Sequence, residues 1–224
     1  MSSRDDILAS IRANLPRVDR PLPSVPLFDD DPPASLLSAF KDSLHRMGGV
    51  FLDPPHSGDV LAPVREKIAA AKVVCSSVPE ITGNRDIAAI SRPQELADVD
   101  FAIVRASFAV AETGSVLLSE ADLKVNALAY LAQHLIVLLD PADIVVNLHH
   151  AYRRPELRNG HYACFHSGPS ATADIEGVLI HGAQGVRSLS VLAIARGANP
   201  LPDTGSRHHD QRFGAAHPHS EGGV

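Results

Sequence analysis

Cysteine is nearly absent from this chain of 224 residues: Cys75 and Cys164 are its only two. Two thiols build no disulfide framework, so the expected setting is a reducing cytoplasm. They also cannot hold an all-cysteine iron–sulfur cluster, which takes four. Long apolar runs are missing as well. The longest mostly apolar stretch, 127–139, is broken by Gln133 and His134 and falls short of the ~20 residues that span a bilayer. The opening Met-Ser-Ser-Arg-Asp-Asp has no basic or apolar region, so no secretory signal is expected. Basic charge is in deficit: 20 Lys and Arg against 26 Asp and Glu give a net charge of −6. Without a basic stripe, nucleic acid is not an expected partner. Neither a G-x-G-x-x-G fingerprint nor a Walker lysine is present, which argues against dinucleotide and P-loop nucleotide sites.

The 45% of apolar residues suffices for one well-buried domain. Within residues 1–15, Asp5 and Asp6 suit the first turn of an amphipathic helix, and Ile7, Ile11 and Leu15 share one face. Residues 16–32 are rich in proline and aspartate and read as an extended linker. The helix is then either an arm that docks on its own domain or a hook for a partner.

Residues 33–196 read as the globular domain. Helical faces are expected over 34–47 and after Ser57-Gly58-Asp59, and again over 122–133, 142–153 and 172–179. Between them lie short β-rich runs at 73–76, 101–104, 108–111, 116–118, 135–139, 162–165 and 189–194. Nearly uninterrupted apolar strands alternating with helices predict an α/β fold, a mostly parallel sheet covered on both faces. Residues 197–224, with His208, His209, His217 and His219, read as a disordered tail.

Two segments carry chemistry. Ala-Glu-Thr-Gly-Ser, 111–115, joins two apolar runs across a tight turn, with Gly114 free to take a positive φ. It reads as a plain hairpin tip, or as a site in which Glu112 serves as nucleophile or base while Thr113, Gly114 and Ser115 help hold an anion. The second segment runs from His166 to Glu176. Ser167, Ser170 and Thr172, with Gly168 for close backbone approach, make an anion cradle if a helix begins near Ser170 or Thr172. In an open parallel sheet, such loops at strand C-termini bind ligands. The alternative is a helix cap at Ser170 or Thr172, with Asp174 and Glu176 answering the helix dipole.

The histidines and cysteine between 149 and 166 do not add up to a metal site. On a strand over 161–166, Cys164 and His166 share one face and His161 takes the other, too few converging ligands for a closed tetrahedral site. Arg153, Arg154 and Arg158, with His149 and His150, form a local basic patch around a helix end.

On residues 111–115, on the run around His134-Leu-Ile-Val137, and above all on Ser-Gly-Pro-Ser-Ala-Thr-Ala-Asp-Ile-Glu at 167–176, the chain resembles the lactate-utilisation protein C family, built largely of a LUD domain. The resemblance covers roughly residues 33–196. Gln184 stands where such proteins usually carry histidine, which takes the imidazole out of that turn. The resemblance implies a Rossmann-like fold, related to sugar-phosphate isomerases and coenzyme A transferases. It also implies a part in oxidising L-lactate to pyruvate beside partner proteins that carry the iron–sulfur clusters, with no cofactor of this chain's own. Two other functions are compatible with the same residues. One is an independent enzyme on a small anionic molecule, using Glu112 and the 167–172 loop together with Asp174. The other is a ligand-sensing module without turnover.

Overall fold

The computed structural model describes residues 3–16, 21–159, 162–174, 177–182 and 184–197. The expected tail beyond Gly197, together with His161, lies outside the described residues. The helices are α1 (Ser3–Asn14), α2 (Leu36–Arg46), α3 (Ala62–Ile68), α4 (Glu120–Leu123), α5 (Leu128–Leu131), α6 (Leu148–Ala151) and α7 (Glu156–Asn159). The first strands are β1 (Val50–Leu52), β2 (Val74–Ser76), β3 (Phe101–Arg105), β4 (Phe108–Val110) and β5 (Ser115–Ser119). They are followed by β6 (His134–Leu139), β7 (Ile144–Val145), β8 (Ala163–His166), β9 (Ala171–Thr172), β10 (Ile180–His181) and β11 (Ser188–Ala193).

The central sheet has the order β1-β11-β6-β3-β2, and every neighbouring pair is parallel. Its strands are apolar on both faces because both faces are covered. On one side Ile103 and Leu138 pack with Leu61 and Val64 around α3. On the other, Ala102, Val104 and Val137 join Phe40 and Leu44 of α2 and Val116 and Leu118 of β5. Phe40 and Leu44 are fully buried, each adding about 2 kcal/mol of apolar burial. The fold is α/β with a Rossmann-like parallel sheet, as the apolar runs require.

A second sheet, β7-β4-β5-β8, covers part of that second face. It is mixed: β4–β5 and β5–β8 are antiparallel, β4–β7 parallel. The chain changes sheets between β3 and β4, where the Ala106 amide donates to Leu138 in the first sheet and the Ser107 amide to Leu117 in the second.

Three expected helices are corrected. The stretch 122–133 is split between α4 and α5 by Lys124, whose φ is +62°. In 142–153 the β-branched Ile144 and Val145 pair with β4, and the helical parts are a single 3-10 turn (Pro141–Asp143) and α6. The described part of 172–179 is no helix: Thr172 pairs with Ile180 in a two-stranded antiparallel hairpin. Strand β1 was not expected; it follows Gly48-Gly49 too briefly to show a pattern. Among the described residues, no helix is long and apolar enough to cross a membrane.

Candidate functional site

The β4–β5 turn is built by its glycine. Gly114 sits at φ +65°, and a Cβ there would lie 2.3 Å from the Leu44 backbone nitrogen. The last turn of α2 therefore rests directly on the turn. Ser43 Oγ donates to the Glu112 carbonyl at 3.1 Å, and Arg46 Nη2 donates to Ser43 Oγ at 2.8 Å. The Glu112 amide donates to Val146 O, while its exposed carboxylate accepts from the Leu148 amide at 3.2 Å.

Antiparallel pairing of β5 with β8, in the register Val116↔His166, carries Ser167 to the same place. Ser115 Oγ lies 2.5 Å from Ser167 Oγ and 2.7 Å from Thr113 Oγ1, a chain of three hydroxyls. Gly168, at φ +71°, is pressed against α2 as well: a Cβ would meet Met47 O at 2.0 Å. Its close backbone approach is thus to Met47, not to a ligand.

Glu112, Thr113, Ser115 and Ser167 therefore converge, although 111–115 and 167–168 are far apart in sequence. Two cavities open beside them, of about 600 Å³ and about 390 Å³. They meet along shared walls made by Ser43, Arg46 and Glu112. A guanidinium and a carboxylate thus stand at the junction, with the hydroxyls in the smaller lobe.

The rest of the second segment goes elsewhere. Ser170 is tied to the turn before β11: its amide donates to Val186 O at 2.9 Å, and its hydroxyl donates to Gln184 O. Thr172 and Asp174 touch each other at 3.4 Å on the outer hairpin and line neither cavity. With no helix starting near Ser170 or Thr172, the expected cradle of helix amides does not form. The position is also corrected. Val186 and Arg187 lead into β11, and the Arg187 amide donates to Gln133 ahead of β6, so this segment lies at the amino edge of the parallel sheet. At the carboxyl edge the protein sets its own charges against one another. There Arg105 pairs with Glu80, and Arg196 reaches Asp140 and Asp143.

The face rule for β8 holds in the described residues. Phe165 packs edge-on against Phe108 and Tyr152, while His166 lies against Tyr130 at 5.1 Å. Burial pushes the His166 imidazole below its usual pKa, and its Nε2 is buried with no hydrogen-bond partner among the described residues. Cys75 is buried in β2 and Cys164 lies in the other sheet, so the thiols do not fit an iron–sulfur cluster. The described residues contain no group of three or more His, Cys, Asp or Glu fit for a metal ion. In the basic patch, Arg154 is engaged by Asp143 and Glu156.

Arg46, Ser43 and Asn147 escaped the sequence reading. Arg46 looks there like an ordinary cation at a helix C-terminus, and Asn147 falls inside the helix expected over 142–153, where in the structure it caps α6. Only tertiary packing sets them beside Glu112.

The LUD domain family model matches residues 56–194. The chain belongs to the LUD domain family. That family is associated with lactate utilisation. The LUD match begins after α2, so Ser43 and Arg46 lie outside it. The fold is also similar to a crystal structure of a DUF162 family protein from Deinococcus radiodurans. The TM-score is 0.56 at 18% identity, over 77% of this chain and 100% of that one. No curated protein matches the chain.

Proposed function

We propose that this protein is the acid-binding, non-redox component of a lactate-utilisation system, with the iron–sulfur clusters that take the electrons of L-lactate carried by partner subunits. The observation that carries this reading is the junction of Arg46 and Glu112 beside three linked hydroxyls, in a LUD-family chain with only two cysteines. A guanidinium recognises a carboxylate through paired N–H donors. The hydroxyls and Glu112 are suited to the neighbouring alcohol or keto oxygen, with the carboxylate able to accept a proton from the alcohol. This chain's part is binding, orientation and uptake of the alcohol proton, in a cytoplasmic complex.

Affinity purification of the tagged full chain from lactate-grown cells, with mass spectrometry and iron analysis, tests it. Near-stoichiometric recovery of cysteine-rich, iron-bearing partners is expected. An eluate of this chain alone, free of iron, would overturn it.

A second reading is an independent transferase or isomerase acting on a small anionic molecule. The exposed Glu112 carboxylate, aimed into the cleft and steadied by Leu148, favours it. On that reading Glu112→Gln abolishes turnover of the purified chain and leaves its unfolding curve unchanged. Retained turnover in that variant removes Glu112 from the chemistry.

A further inference from the structure

Lactate is a three-carbon acid, and the cleft is far larger than it needs. The larger lobe alone is about 600 Å³, a size that encloses drug-sized molecules. Beyond Arg46 and Glu112, its lining sets the apolar Phe28, Pro33, Ala111 and Val146 beside a second acid, Asp42, and the polar Asn147 and His149. A junction with one guanidinium, opening onto a lobe with an apolar wall, suits a carboxylate held at Arg46 with an apolar arm laid along that wall and away from Asp42.

One wall of that lobe comes from residues the sequence reads as linker. Asn147, only 5% exposed, donates its side-chain amide to the carbonyls of both Leu27 (2.7 Å) and Phe28 (3.1 Å). Its side-chain oxygen is used to cap α6 through the His150 amide. The Phe28 ring lies 4.7 Å from His149, and Asp29 comes within 3.3 Å of His150 Nε2. Phe28 itself is held at φ +53°, a left-handed backbone that a bulky residue adopts only where its surroundings impose it. Yet the residue is 61% exposed. The strap therefore holds a large apolar side chain over the cavity without burying it, leaving ring surface for something in the cavity to cover.

We propose that the cleft accepts lactate only as the smallest member of its ligand class and prefers a hydroxy- or keto-acid with an aromatic or bulky apolar arm, whose carboxylate is held by Arg46 and whose arm packs under Phe28. This rests on the reading of Arg46 as a carboxylate anchor and names the class of acid. Phe28 is then a specificity residue, supplied by the segment that joins α1 to the domain.

Titration calorimetry on the purified full chain tests it, with L-lactate and L-3-phenyllactate as probes, two acids that share a head and differ by a phenyl arm. Burying the ring predicts phenyllactate binding roughly tenfold tighter or more. Phe28→Ala removes most of that difference; Phe28→Tyr, which keeps the ring, preserves it. Arg46→Ala weakens both acids. Lactate binding as tightly as phenyllactate, or a preference untouched by Phe28→Ala, overturns the larger-acid proposal while the carboxylate anchor stands. Absence of binding by either acid, or binding indifferent to Arg46→Ala, overturns the anchor and the proposal together.

Discussion

Residues 111–115 and 167–174 are chemically alike, each a glycine among hydroxyls with an acid nearby, and the fold uses them differently. The first is clamped whole. It joins two paired strands, its Ser115 is 3% exposed, and α2 lies on its glycine. The second is clamped only at its start, where Ser167 and Gly168 follow β8 and meet Ser115 and Met47. From Ser170 onward it follows the turn before β11 and ends in an outer hairpin. Composition marks a segment as suited to a ligand; the strand register and the helix packed over it decide which of its residues arrive.

The largest effect expected from this contrast is at the clamped glycines. At Gly114 and Gly168 a methyl group meets backbone atoms, which cannot swing away, on top of the left-handed φ. Gly114→Ala and Gly168→Ala should each cost about 3 kcal/mol or more and lower the melting temperature by many degrees. Gly177, at φ +70° in the outer hairpin, has nothing within 4 Å. Gly177→Ala should cost only about 1–2 kcal/mol, the left-handed conformation itself. Urea unfolding of the three variants checks this. A Gly168→Ala protein as stable as Gly177→Ala would mean that α2 does not hold the second segment.

The next effect is a pH dependence at the point where the second segment leaves β8. Burial keeps His166 neutral by pushing its imidazole below the usual value. The folded state then binds fewer protons than the unfolded chain, so His166 is without cost above about pH 6.5 and destabilises the fold as pH falls through that value. His134 acts in the same direction, lowered first by burial and then by Lys67 and Arg187. The carboxylates Asp100 and Asp140, lowered chiefly by backbone amides, lose their contribution only in stronger acid. Between pH 7.5 and 5.5 the wild type should lose stability, and His166→Gln should lose less of it. Parallel curves from urea titrations across that window would show that β8 opens His166 to water.

These contrasts mark what was readable beforehand. The runs at 73–76, 101–104, 135–139 and 189–194 gave the parallel strands, because a strand buried on both faces has no polar alternation to confuse it. The helix over 34–47 was equally plain from its period. The expected helices at 122–133 and 142–153 misled, because apolar residues there mark burial on short pieces. Leu128 and Ala129 sit in a single turn, and Ile144 pairs as a strand. At the site, Glu112, Thr113, Ser115 and Ser167 were legible as local clusters. Arg46 and Phe28 were not, since each reaches the cleft by a contact across more than sixty residues of chain.

The smallest effect is expected at Thr172 and Asp174, and it bears on how far the site extends. Their mutual contacts, at 3.4 Å, are at the weak end of hydrogen bonding, and the Asp174 side chain is exposed. Thr172→Ala and Asp174→Ala should each change stability by no more than about 0.5 kcal/mol and leave phenyllactate affinity unaltered. Ser167→Ala should weaken it, because Ser167 shares the hydroxyl chain that lines the smaller lobe. If Asp174→Ala altered affinity as much as Ser167→Ala, the hairpin would have to swing inward over the cleft when ligand binds. The unequal use of the two segments would then give way when ligand binds.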